Sequence, residues 1–75
     1  MEKIIMKKRF RVIETYCGGY LTKTLFFSSK KAAIRHLEQY KKRDELNLNI
    51  TIVEQQKLWY KKYWKTIQTI AAWKN

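Results

Sequence analysis

The chain has 75 residues, one Cys and no Pro, and sets 17 Lys and Arg against 6 Asp and Glu, a formal net charge of +11. That length allows one domain near the lower limit of a self-sufficient core, and 3 Trp, 5 Tyr and 3 Phe supply the apolar area to build it without metal or disulfide. The charge narrows the partners to nucleic acid, an anionic membrane or an acidic protein surface, and the lone Cys17 excludes an intramolecular disulfide and fits a reducing cytoplasm.

No apolar run approaches the ~20 residues of a membrane span. The start, Met1 to Met6, has too small an apolar patch for a signal peptide. A cytoplasmic protein is therefore expected. With no proline, no Ser/Gly-rich linker and no repeat, residues 1–75 are expected to form a single basic α+β domain.

From Lys7 to Phe27 the chain reads as a β-hairpin, with two β-rich runs flanking Gly18-Gly19, a dipeptide suited to the positive-φ positions of a two-residue turn. That turn sets Phe10 opposite Phe27, Val12 opposite Leu25, Glu14 opposite Lys23 and Tyr16 opposite Leu21. Three pairs are apolar or aromatic and one is of opposite charge, as favourable cross-strand neighbours should be. A one-residue slip would scramble them. The other face then carries Arg9, Arg11, Ile13 and Thr15 with Thr22, Thr24 and Phe26. Arginines beside an aromatic can hold phosphates, and Phe26 is the candidate for stacking a base. A second helix or a partner subunit covering Ile13 and Phe26 is the other reading of that face.

Ser28-Ser29 opens a helix expected over 29–45, in which either serine can cap. Ala33, Ile34, Leu37 and Tyr40 form its apolar stripe, and Lys31, Arg35, Gln39, Lys42 and Arg43 point away. Lys30 and Lys31 in the first turn oppose the helix dipole. With a capping serine and free backbone N–H groups they form a candidate phosphate seat, unless both are simply solvated. His36 is placed on the outer face as an ordinary surface histidine, with no second metal ligand in view. A third strand follows at 49–54. Reached through a helix, it should run parallel to the second strand by a right-handed crossover, with the first strand central.

The segment from Lys57 to Lys65 interleaves four lysines with four aromatic rings. Read as a strand it puts lysine and ring on both faces. Read as a helix, Trp59, Tyr60, Tyr63, Trp64, Ile67, Ile70 and Ala71 share an arc of roughly 140°, with Lys57, Lys61 and Lys65 along the opposite edge and Lys62 beside them. A C-terminal amphipathic helix over 55–74 is therefore expected, its rings turned toward the core or a partner and its lysines toward an anion. The sum is a ββαβα domain, a mostly antiparallel three-stranded sheet packed by two helices.

No paired carboxylates, nucleophile with a supporting base, glycine-rich phosphate loop or metal-ligand spacing occurs, so no enzyme, cofactor or metal is expected. The basic groups point elsewhere. Lysine outnumbers arginine, and lysine is a point charge rather than a bidentate reader, which favours contact with the phosphate backbone over sequence recognition. The candidate nucleic-acid-binding residues are Arg9, Arg11, Phe26, Lys30, Lys31, Arg35, Lys42, Arg43, Lys57, Lys61, Lys62 and Lys65. The alternative is an inhibitor or adaptor that grips an acidic surface of a host enzyme or of a defence or toxin system. A weaker one is an amphipathic C-terminal helix lying on anionic membrane. Homo-oligomerisation through the aromatic C-terminal helix is a further option.

The run Arg9-Phe-Arg-Val-Ile-Glu, the Gly18-Gly19 turn and Phe26-Phe-Ser-Ser-Lys-Lys-Ala-Ala-Ile-Arg-His-Leu37 resemble the strand–turn–strand–helix pattern of small accessory proteins of tailed phages, over roughly residues 7–45. The resemblance implies host-takeover or anti-defence action on a host enzyme, a defence system or nucleic acid, in the host cytoplasm. The pattern is also similar to the arm-type DNA-binding domains of phage integrases, where a three-stranded sheet precedes a helix. Here the third strand would follow the helix instead.

Overall fold

A computed structural model describes residues 6–16, 19, 21–42 and 48–74. Its elements are β1 (Met6–Tyr16), β2 (Leu21–Phe27), α1 (Lys30–Lys41), β3 (Asn49–Leu58) and β4 (Lys65–Lys74). The strands form one sheet in the order β2-β1-β3-β4, every neighbouring pair antiparallel. The fold is thus a four-stranded antiparallel sheet with a single helix, and the expected ββαβα arrangement with a second helix over 55–74 is wrong.

The hairpin forms in the expected register, with Phe10 opposite Phe27, Val12 opposite Leu25, Glu14 opposite Lys23 and Tyr16 opposite Leu21. Gly19 takes φ 111, a conformation glycine adopts without the Cβ clash other residues would meet. β3 pairs antiparallel to β1, so it runs in the same direction as β2 with β1 between them, the arrangement a crossover through α1 requires.

Helix α1 starts where its cap dictates. Ser29 is the N-cap, and its Oγ accepts the Ala32 N–H at 3.1 Å. The helix ends at Lys41 with Lys42 as C-cap, short of the expected 45, and residues 43–47 lie outside the described set. Its apolar stripe packs on β1, β2 and β3. Phe10, Val12, Ala33, Leu37, Leu48, Ile50 and Ile52 form the buried core, with Leu25, Phe27, Ile34, Ile70, Ala71 and Trp73 against it. Each fully buried Leu or Ile contributes about 1.5–3 kcal/mol relative to exposure.

The core fills only part of the sheet. The first residues of β1, the last of β3 and the first of β4 extend past α1, and Met6, Lys7, Lys8 and Lys65 to Thr69 are exposed. The molecule is accordingly long, 51 × 24 × 15 Å with a radius of gyration of 14.3 Å, against about 11 Å for a compact chain of this length.

β3 runs four residues further than the expected strand, to Leu58, and the chain then turns over residues 59–64 into β4. Leu58 O accepts the Lys61 N–H at 2.9 Å, closing the first part of the turn. β4 carries two register shifts against β3. Ala71 is opposite Ile52 but Thr69 is opposite Val53, and Gln68 is opposite Glu54 but Thr66 is opposite Gln55, which leaves Ile70 and Ile67 as the extra residues of two bulges. With no C-terminal helix, oligomerisation through such a helix falls away.

Candidate nucleic-acid interface

The alternation along the strands divides the charged groups between two faces. Phe10, Val12 and Glu14 of β1 point toward α1. Arg9, Arg11, Ile13 and Thr15 point to the other face, where no helix of the described residues lies, together with Thr22, Thr24 and Phe26 of β2 and Thr51, Val53, Gln55 and Lys57 of β3. Every acid among the described residues is elsewhere: Glu14 and Glu54 on the helix side of the sheet, Glu38 on α1. Among the described residues the open face therefore bears only cationic and neutral groups.

At its centre Arg9 is held from several directions. Its guanidinium carbon lies 4.1 Å from the Phe26 ring centroid, on the β2 side, and 4.2 Å from that of Trp64, which the β3–β4 turn brings in from the opposite side. Both are within cation–π range. Arg9 Nε donates to Gln55 Oε1 at 2.8 Å, and Gln55 Nε2 donates to Thr66 Oγ1 at 3.2 Å, which tethers β1 to β4 across β3. Burial, and then the neighbouring Arg11 charge, lower the Arg9 pKa from its ordinary value. Arg11 keeps its Nε buried without a hydrogen-bond partner among the described residues.

The β3–β4 turn presents the other cluster. Trp59, Tyr60 and Tyr63 are 62%, 61% and 70% exposed, so these rings do not enter the core, one of the two places expected for them. Trp59 and Tyr60 meet edge to face at 5.5 Å, Lys61 Nζ lies 5.9 Å from the Tyr60 ring and 5.8 Å from the Tyr63 ring, and Lys57 Nζ lies 5.6 Å from Trp64. Lys62 is exposed in the same turn. On the helix side of the projecting strands, Met6, Leu58, Tyr63 and Ile67 floor an open groove of about 290 Å³ that Lys61 and Lys65 also line.

The twelve candidate residues therefore do not form one track. Arg9, Arg11, Phe26 and Lys57 share the open face, Lys62 is exposed in the β3–β4 turn, and Lys61 of that turn lines the groove on the helix side. Lys65 belongs to the same groove. Lys30, Lys31, Arg35 and Lys42 are exposed on α1, behind the sheet, and Arg43 lies outside the described residues. The cap hydrogen bond to Ser29 uses one of the N–H groups the expected phosphate seat would need.

Sequence reasoning missed Trp64 and Gln55, because both were assigned to a helix. It also misplaced His36, which is largely buried at 17% side-chain exposure and bonds Glu14. Tyr16 O–H donates to Glu14 Oε2 at 2.7 Å, and His36 Nε2 lies 2.6 Å from Oε1, with the imidazole between the rings of Phe27 and Tyr40. Burial alone would raise the Glu14 pKa. The hydrogen bonds from His36 and Tyr16 and the charges of His36 and Lys23 outweigh it and hold the carboxyl below its usual 4.5. An ionised carboxylate only accepts, so His36 Nε2 is the donor. The cluster is a closed structural network under α1, away from the open face.

No group of three or more His, Cys, Asp or Glu side chains capable of holding a metal occurs among the described residues, and no helix there is long and apolar enough to cross a membrane. No protein-family model matches the chain, and no curated protein or solved structure matches it.

Proposed function

We propose that the protein is a small nucleic-acid-binding accessory protein that contacts the phosphate backbone with little sequence specificity. The observation that carries this reading is the β3–β4 turn, where the exposed rings of Trp59, Tyr60 and Tyr63 stand with Lys61 and Lys62 at the end of a sheet face on which no described acid lies. Exposed rings offer stacking surfaces that accept any base, and a positive groove tracks the backbone. Together they suit a single strand whose bases are unpaired. The rings have no competing structural use, since the core is complete without them. A protein-directed inhibitor would use the same lysines against carboxylates, but three uncovered rings add most where the partner brings planar groups of its own.

Binding of labelled single-stranded and duplex oligonucleotides, titrated with salt, tests it. If the Arg9–Arg11 pair, Lys57, Lys61 and Lys62 each neutralise one phosphate, log K should fall against log salt with a slope of roughly −2.8 for a single strand. An affinity that does not change between low and physiological salt rejects the reading.

A further inference from the structure

We propose that Arg9 and Arg11 form a preorganised seat for one phosphate group of a nucleic-acid strand, distinct in kind from the solvated lysines around it. The proposal rests on the nucleic-acid reading for the source of the phosphate.

An exposed arginine samples many rotamers and loses them on binding, which weakens the complex. Arg9 has already lost them. Phe26 and Trp64 flank its guanidinium at 4.1 and 4.2 Å, and Gln55, itself tied to Thr66, holds Nε. The Nη groups are then the donors left for a ligand, and they meet no acceptor among the described residues. This is the fork that matches two oxygens of a phosphate. Arg11 stands two residues along the same face, directly opposite Phe26 in the pairing register, and its Nε is buried without a partner. Neither arginine joins any of the ion pairs among the described residues. Two like charges on a face where no described acid lies repel, which adds to burial in lowering the Arg9 pKa, and a bound anion would reverse that repulsion. A carboxylate also fits an arginine fork. The rings decide for a nucleotide: Phe26 is 52% exposed beyond its contact with Arg9, and the exposed turn aromatics lie at the same end of the sheet, so a base next to the bound phosphate finds a surface to stack on.

Arg9→Lys tests the seat, since it keeps the charge and removes the fork. Measured by anisotropy with a labelled single-stranded oligonucleotide at fixed salt, Arg9→Lys should weaken binding about tenfold while leaving the salt slope unchanged. Lys30→Arg, a charge-retaining swap on the far side of the molecule, should change it less than about twofold. A loss on Arg9→Lys no larger than on Lys30→Arg overturns the seat even if the wild type binds well. In a second arm, ¹⁵N-detected NMR of wild-type Arg9 Nε–H follows titration with inorganic phosphate against chloride at equal ionic strength. This arm needs no variant and does not depend on oligonucleotide binding. A phosphate-specific shift of Arg9 in a protein that ignores oligonucleotides upholds the seat and rejects the nucleic-acid reading. No shift with either phosphate or oligonucleotide overturns the seat.

Discussion

Glu14 is a fully buried carboxylate whose oxygens are taken by Tyr16 and His36. Removing one side of such a network leaves buried donors without an acceptor, so Glu14→Ala should cost about 3 kcal/mol in urea melts, and Glu14→Gln, which keeps the shape, about half of that. The pH dependence follows from the same contacts. The folded carboxyl has a pKa below the unfolded 4.5, so its contribution is complete above that value and is lost as pH falls through the folded pKa, where the unfolded chain binds more protons. Tyr16 behaves in the opposite sense. Burial and its bonds to Glu14 and Tyr40 raise its pKa above 10.0, so its contribution holds below that pH and is lost above it. Stability should therefore fall at both ends, with Glu14→Gln flattening the acid limb and Tyr16→Phe the alkaline one. Acid limbs that run parallel in wild type and Glu14→Gln would disprove the assignment. Alternation already put Glu14 on the inner face, but it also supplied Lys23 as the obvious partner. His36, 22 residues along the chain, reaches the carboxylate only through the docking of α1, which no local pattern encodes.

At the scale of elements, the cap of α1 separates two serines the sequence could not. Ser29→Ala should destabilise by about 1 kcal/mol, because Ala32 N–H loses its acceptor, while Ser28→Ala should leave the melt unchanged. Equal losses for the two would mean that the cap is elsewhere. The hairpin, α1 and the start of β3 were legible because each obeys one period and ends at a recognised signal. β4 was not, and its bulges explain why. Each inserts one residue into a two-residue alternation, so the apolar residues Ile67, Ile70 and Ala71 fall three and four apart, the spacing of a helix. The turn before it hides equally well, since residues 59–64 contain none of the Gly, Pro, Asn or Asp that usually mark one. Part of the candidate site is hidden with it: Arg9, Arg11 and Phe26 are readable from the hairpin alone, whereas Trp64 and Gln55 need β3 and β4 to be strands. The bulges also bend β4, an edge strand, away from the flat template that invites pairing with another chain.

For the molecule as a whole, charge was the most legible property and has consequences for the fold as well as for binding. A net +11 on 75 residues works against compactness through self-repulsion. Little attraction offsets it: among the described residues the lysine–carboxylate pairs are Lys8–Glu54 at 3.8 Å and Lys41–Glu38 at 3.4 Å, each with an exposed lysine, and such pairs contribute little. The long shape eases the repulsion by spreading the cations along 51 Å. Screening should therefore stabilise the protein. Raising ionic strength from about 10 mM to about 100 mM shortens the Debye length from about 30 Å to about 10 Å, which silences most pairs along the long axis. The Tm of the free protein should rise, by about 4–8 °C for each kcal/mol of repulsion relieved. Over the same range its affinity for an oligonucleotide should fall. The two responses have opposite signs and one origin, so a calorimetric scan and a binding titration in matched buffers check each other. A Tm that drops with salt would show that attractive pairs, not repulsion, dominate the surface, and the acid-free face would then lose its standing as the place where an anion is missed.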